Sequence, residues 1–465
     1  MAAAVAVEMV ESCMVTPGEA TPQHALWLSN LDLAYRSYTP VIFLYRRPSP
    51  APAGELLSAA FSPGVLKAAL SRVLVPYYPL AGRLAPHRAG RRPEIHCTGE
   101  GVLFVTARAD ATLDDIGCPA TSDGLRRMFV PSAKEHAGVT LFKCGGVCLG
   151  TAVHHMAADG AAFSTFLYAW AAIVRGAGDG EAPVPPCLDR TLLRARSPPA
   201  VPFHHAEYSR RVSSSAAQPN NKKPVFQTAI LPVSRDQVKA LKHAIAAAGN
   251  NNNNNKKKAS ATTFAAVVAH VWRCACISLP HQRLVSRGTE DTRLYVTADA
   301  RSRVRPPLPT SYLGSAALRT SAVAKVDDVV SSPLCATAGK VAGAVSAVND
   351  EYMRSLLDFM EIEAGVSGAE AGMRSQGWFD PETDLVVVSY FGVVTYSTLD
   401  FGWGCPTFFC RANSIANGYV HLVPCGDHIN VIVAMEPGRL SRFKQLFYEE
   451  LQLTIASKAK HDSKL

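Results

Sequence analysis

The stretch from 176 to 224 constrains this chain most. It reads PVPPCLDR, RSPPAVPFHH and SSSAAQPNNKKP in turn, a shift to Gly, Pro, Ser, Asn and Lys with the make-up of a long crossover linker. On both sides of it, apolar strand-like runs alternate with segments of helical spacing. A single core rarely grows past roughly 250–300 residues, so 465 residues imply more than one. The expected arrangement is two α/β halves of similar size, residues 1–175 and 225–465, joined by 176–224.

In the first half, residues 5–16 predict an edge strand ended by Pro17 and Gly18, and VIFLYRR at 41–47 a buried strand. Helical spacing places Leu57, Phe61, Val65, Leu66, Leu70 and Leu74 on one side of a helix over 56–75. Short strands are expected at 93–97, 101–107 and 138–144. CLGTAVHH at 148–155 is nearly continuous in apolar residues and belongs at the centre of a sheet, with a helix after Gly160. In the second half, helices are expected at 233–247, 326–348, 351–363 and 438–457, and strands at 292–300, 385–394, 407–409, 418–424 and 428–436. SATTFAAVVAHVWRCACISL is a helix with Ser260 as its N-cap, preceded by the polar run GNNNNNNKKK at 249–258, which cannot bury a core.

Composition removes several functions. The net charge of +9 is spread along the chain, which argues against nucleic acid and suits a polyanionic small ligand. Twelve cysteines form no CxxC pair and read as buried reduced thiols, Cys144, Cys148, Cys274 and Cys276 among them. The first residues lack a basic stretch before their apolar ones, and no apolar run approaches the roughly 18–20 residues that span a bilayer. The expectation is a cytoplasmic protein without membrane association. Neither a dinucleotide loop nor a Walker loop is present, so hydride transfer and nucleotide hydrolysis have no support, and no metal or bound cofactor is expected.

Two short motifs carry chemistry. TAVHHMAADG at 151–160 ends an apolar strand in His155, with Asp159 and Gly160 behind it. Histidine gives and takes protons near neutral pH, so His155 is a candidate general base, against the plainer reading of a core histidine bonded to backbone. DFGWG at 400–404 puts one acid, two aromatic residues and two glycines in five positions. Together HxxxDG and DFGWG, in that order, resemble the signature of the BAHD acyltransferases, which move an acyl group from coenzyme A to an alcohol or amine. LWLSNLD at 26–32, YYPLAGRL at 77–84 and ADARSRVRPPLPTSYLG at 298–314 are similar to the same family, so the resemblance spans nearly the whole chain.

The resemblance implies an α/β fold of two chloramphenicol acetyltransferase-like mixed-sheet domains with a channel between them, the first carrying HxxxDG and the second DFGWG. It implies a monomer that uses acyl-CoA as co-substrate, with His155 as general base and no covalent acyl-enzyme. Asp159 is expected to turn away from His155 and pair with Arg301. Asp400 has two readings: a brace for its own loop through a salt bridge, or a participant in catalysis. Trp403 is expected either to shape that loop or to donate its indole N–H to the oxyanion. Ser260, Thr262 and Arg303 are candidates for the CoA phosphates, the first two at a helix N-terminus; Lys256 to Lys258 read as a solvated loop or a further phosphate contact.

Within the family the chain looks most like the hydroxycinnamoyl-CoA branch. Shikimate-using members read HTPSVYFY where this chain reads YTPVIFLY at 38–45. Thr39 is kept, whereas Val41 and Phe43 replace hydroxyl-bearing residues, and Gly392 and Val393 stand where those members hold an acceptor carboxylate with arginine. The acceptor pocket expected from Tyr38, Thr39, Val41, Phe43 and Val393 is thus apolar, and burying an unpaired carboxylate there would be costly. An amine of the putrescine, agmatine or tryptamine type is the leading acceptor. O-acylation of an alcohol such as glycerol, shikimate or quinate, a noncatalytic acyl-CoA-binding relative, and a carrier-protein condensation domain are the alternatives.

Overall fold

The structure is a computed structural model describing all residues except 1–4, 47–61, 87–91, 117–122, 131–136, 177–183, 209–224, 251–260, 281–289, 368–378, 392–398, 414 and 463–465. Two six-stranded sheets organise it. The first runs, in spatial order, β1 (Val7–Val15), β6 (Val102–Ala109), β7 (Ala137–Phe142), β8 (Val147–His154), β3 (Tyr38–Tyr45) and β13 (Phe408–Arg411). The second runs β11 (Ala317–Lys325), β10 (Asp291–Asp299), β12 (Leu385–Ser389), β14 (Tyr419–Cys425), β15 (His428–Met435) and β9 (Gln227–Ser234). A small third sheet joins β2 (Ala25–Leu26), β5 (Pro93–His96) and β4 (Arg83–Pro86). Both large sheets mix parallel and antiparallel pairs, β6 with β7 in the first and β12 with both neighbours in the second being the parallel ones.

Strand β8 is internal, as its continuous apolar run requires, and Val147 to Val153 are all buried. A side chain at Gly150 would collide with the Phe129 carbonyl. Above this sheet the helix Gly160–Val174 packs on the helix Pro63–Val73, with Leu66, Leu70, Val73, Leu167 and Trp170 in one core. The Trp170 indole is fully buried and donates to the Leu66 carbonyl at 3.0 Å, so its removal to Ala should cost about 3–5 kcal/mol. The second core lies between the second sheet and the helices Arg235–Asn250, Thr263–Ile277, Leu334–Ser346 and Pro437–Asp462.

Several boundaries differ from the sequence expectation. Residues 227–234 form strand β9 against β15, so the helix begins at Arg235 and Val233 belongs to the sheet. The segment 317–325 is an unforeseen edge strand, and the helix expected over 326–348 is interrupted at Ser332 and Pro333, where proline cannot continue it. The first part of the helix expected at 56–75 lies outside the described residues. Cys148, Cys274 and Cys276 are buried free thiols, whereas Cys144 is exposed in the turn between β7 and β8.

Two features tie the halves together. Strand β13 pairs with β3 of the first sheet although its sequence neighbours β12 and β14 lie in the second. The segment expected as a plain linker holds buried Arg190, Leu193, His205, Glu207 and Tyr208, and Cys187 bridges to Tyr312. No helix among the described residues is long and apolar enough to cross a membrane.

Candidate active site

At the end of β8 the two histidines part. His154 lines one cavity with Tyr38, their rings edge to face at 4.9 Å, and burial lowers its pKa to about 4. His155 lines a different cavity, of about 460 Å3, and its backbone N–H donates to the Ser37 carbonyl at 3.0 Å. Burial holds the His155 imidazole below the ordinary histidine value; Asp159 opposes that shift and Arg411 reinforces it. The ring is therefore neutral at pH 7, as a proton acceptor must be.

Ser315 bears on the tautomer of His155. Its single hydroxyl hydrogen can reach the His155 carbonyl at 3.1 Å, and its oxygen lies 3.2 Å from His155 Nδ1. A hydroxyl that donates to the carbonyl can only accept from Nδ1–H, which leaves Nε2 with the lone pair. Ser315 is fully buried, and its own N–H donates to Asp32 Oδ1 at 2.7 Å.

Asp159 does not orient the imidazole. It caps the helix Gly160–Val174 by accepting from the Ala162 N–H at 3.0 Å, and it accepts from the Ala316 N–H at 2.9 Å. Arg301 completes the set with two N–H bonds of 2.9 Å, one to each carboxylate oxygen. Burial alone would raise the Asp159 carboxyl, but the Arg301 guanidinium and the N–H groups of Ala162 and Ala316 together outweigh it and hold the pKa below the usual range. Arg301 also donates to the Gly314 carbonyl and to Asp299. One bidentate pair thus binds the HxxxDG turn to ADARSR and to the loop that carries Ser315.

A second buried pair supports the same turn. Arg190 donates to the carbonyls of Met156 and Ala157 at 3.0 and 2.6 Å and pairs with Asp32 at 2.9 Å, both side chains being inaccessible. Asp32 is further held by the Ser29 N–H and hydroxyl at 2.7 and 2.8 Å. The carbonyls following the histidines are thereby fixed from LWLSNLD and from the proline-rich crossover. Sequence reading missed Arg190 and Ser315. A charged residue between proline-rich runs looks solvated, and a lone serine gives no signal.

The His155 cavity is mostly apolar. Thr39, Val41 and Phe43 line it together, as alternate residues of β3 must. Tyr38, expected in the same pocket, faces the opposite side with His154 because strand period two sets it apart from Thr39. Val393 and Ser260, like Lys256 to Lys258, lie outside the described residues. Thr262 lines the cavity and, in place of Ser260, is the N-cap of the helix Thr263–Ile277, its Oγ1 accepting from the Ala265 N–H at 3.1 Å. Arg303 lines the cavity too, but its guanidinium donates to the carbonyls of Val345 and Val348 at 2.6 and 2.9 Å. Gly160 and Arg301 stand at the same wall. Arg411, which the sequence gave no reason to select, enters from β13. Among the described residues no cluster of His, Cys, Asp or Glu could hold a metal.

The DFGWG loop is built differently. Asp400 Oδ1 accepts from the N–H groups of Gly402, Trp403 and Gly404 at 2.7, 2.9 and 2.9 Å. Among the described residues no cation pairs with that carboxylate, and Arg175 donates instead to the Asp400 carbonyl. Gly402 and Gly404 have φ of +89° and +80°, the left-handed region that other residues enter at a penalty. Trp403 is buried, stacked on Phe401 at 5.1 Å and edge-on to Tyr45 at 5.0 Å, while Phe401 meets Trp170 at 5.2 Å. Neither Asp400 nor Trp403 lines the His155 cavity, so the expected indole contact with an oxyanion is replaced by aromatic packing that holds the loop on the first sheet.

The Transferase family profile matches residues 5–450. Putrescine hydroxycinnamoyltransferase 1 of Oryza sativa subsp. japonica is 54% identical, over 96% of this chain and all of the relative. Shikimate O-hydroxycinnamoyltransferase of Nicotiana tabacum is 33% identical and anthranilate N-benzoyltransferase protein 1 of Dianthus caryophyllus 34%, each over 95% of this chain and 99% of the relative. Among solved structures, vinorine synthase superposes with a TM-score of 0.67 at 21% identity, covering 94% of this chain and 96% of its own. F. graminearum TRI101 complexed with coenzyme A and deoxynivalenol gives 0.73 at 15%, covering 90% and 96%. Mixed sheets of this fold and a match along almost the entire length place the chain in the Transferase family, as an acyltransferase of the BAHD type.

Proposed function

We propose that this chain transfers a hydroxycinnamoyl group from coenzyme A to an aliphatic or aromatic amine, with putrescine first and agmatine and tryptamine next. The observation that carries this reading is the 54% identity along the whole chain to a relative named for putrescine, against 33–34% to relatives named for shikimate or anthranilate.

In this reading His155 Nε2 takes the proton of the acceptor nitrogen as that nitrogen attacks the thioester carbonyl. The C–N bond forms and the carbonyl electron pair moves to oxygen. When the pair returns, the C–S bond breaks, and the imidazolium gives its proton to the departing CoA sulfur. Asp159, Arg301, Asp32, Arg190 and Ser315 keep the turn and the tautomer in place. The N-terminus of the helix Thr263–Ile277, capped by Thr262, offers N–H groups to a CoA phosphate.

The test is an acceptor screen with p-coumaroyl-CoA, following CoA release and product mass for putrescine, agmatine, tryptamine, spermidine, glycerol and shikimate. Amide formation with putrescine is expected to dominate. Efficient shikimate ester formation would reject the amine reading, and tight acyl-CoA binding without any turnover would favour a noncatalytic relative.

A further inference from the structure

Strand β13 carries a cation into the acyltransferase cavity that the reaction outlined above does not use. Arg411 sits directly opposite Val41 in the pairing of β13 with β3, and its neighbour on the same face is Phe409. The guanidinium is half-buried, its Nε donates to Asn413 Oδ1 at 2.9 Å, and it is hydrogen-bonded to the buried Tyr390 phenol. Among the described residues no carboxylate pairs with it. Phe409 and Tyr390 pack edge to face at 5.4 Å beside it.

A guanidinium has five N–H donors, and facing apolar walls it is stabilised best by an oxygen that arrives with the ligand. An amine acceptor brings positive charge and is repelled. The aryl end of the donor fits better: its ring matches the aromatic walls, and a ring hydroxyl supplies the oxygen. We infer that Arg411, with Tyr390 beside it, binds the ring hydroxyl of a hydroxycinnamoyl donor and so selects p-coumaroyl-type donors over unsubstituted cinnamoyl and benzoyl ones. This rests on the hydroxycinnamoyl-to-amine reading. In this chain the polar contact comes from β13, opposite Val41 of β3, which has no hydroxyl to offer.

The experiment compares kcat/KM for p-coumaroyl-CoA and cinnamoyl-CoA at one fixed saturating amine, in the wild type and in Arg411→Met, Arg411→Lys and Tyr390→Phe. The wild type is expected to favour p-coumaroyl-CoA by about ten- to hundredfold, the range for a hydrogen bond to a charged group. Arg411→Met should bring the ratio close to one, Arg411→Lys should keep part of it, and Tyr390→Phe should reduce it less. A wild type with no donor preference overturns the inference without any variant. So does an equal loss with both donors in Arg411→Met, which would mark an action on the carbonyl or on His155. A wild-type activity toward anthranilate or shikimate that Arg411→Met abolishes also overturns it, because Arg411 would then hold an acceptor carboxylate. Because the ratio is read at one acceptor, it is separate from the screen: failure to form amides rejects the amine reading, whereas an unchanged ratio rejects only the role of Arg411.

Discussion

The HxxxDG turn and the DFGWG loop are equally conspicuous in the sequence, yet they do opposite things with the same kind of residue. Each contains an aspartate whose carboxylate collects backbone N–H groups. At Asp159 that carboxylate is fully buried, shared with Arg301 and with the Ala316 N–H of the second half, and the turn it fixes delivers His155 into a cavity. At Asp400 the carboxylate is partly exposed and, among the described residues, serves N–H groups of its own loop alone, whose aromatic residues are buried in the first core. One turn carries the histidine proposed to react, and the other fastens the loop from which β13 departs. Prominence in sequence marks both without telling them apart.

That contrast can be broken first on activity. His155→Ala should lower kcat/KM by about 10²–10⁴-fold with folding intact, the range for a positioned general base. Asp400→Ala, assayed in parallel on soluble protein, should stay within a few-fold of the wild type. Comparable losses in both would erase the distinction. Stability should order the two aspartates by burial. Asp159→Ala takes from buried Arg301 its buried bidentate partner, leaving it only the exposed carboxylate of Asp299, and is expected to cost about 3–5 kcal/mol in denaturant unfolding. Asp400→Ala removes one acceptor from three N–H groups at a more exposed site, for about 1–3 kcal/mol. A smaller effect belongs to Ser315→Ala, which frees the tautomer of His155 and should lower kcat by about tenfold while leaving KM near its wild-type value. Equal changes in both constants would point to a packing defect.

The fold's pH response sharpens the comparison further. Burial depresses His155, and it lowers His154, His205 and His270 to about 4 and His421 to about 3, all below the unfolded value near 6.5. Each group binds its proton more readily when unfolded. Their contribution is therefore fully present above pH 6.5 and is lost as the pH falls from there toward 4. Chemical denaturation at pH 7, 6 and 5 should show the midpoint falling in that window; a flat profile would contradict the burial assigned to these rings.

Much of this was legible in the sequence for physical reasons. The run 148–155 had to be an inner strand, and Asp159 was already expected to turn to Arg301. The strand alternation that separates Tyr38 from Thr39 was also present, but grouping by motif overrode it. What sequence could not supply is long-range pairing. Nothing local announces that Arg190 of a proline-rich crossover lies under the carbonyls of Met156 and Ala157, or that Ser315 meets His155. Nor does anything near 411 reveal that β13 leaves its neighbours to pair with β3 and carries Arg411 with it. Trp403 likewise reads as a donor until its ring is seen among Phe401, Tyr45 and Trp170.

The central claim is that His155 Nε2 accepts the proton of the attacking nitrogen, and the pH profile of kcat/KM tests it most directly. A weakly basic amine that stays neutral across the range should be used, in the wild type and in His155→Ala. The account predicts a wild-type acid limb centred below pH 6.5, set by the depressed imidazole, and no such limb in the residual activity of the variant. The same limb in both proteins would mean that another group takes the proton.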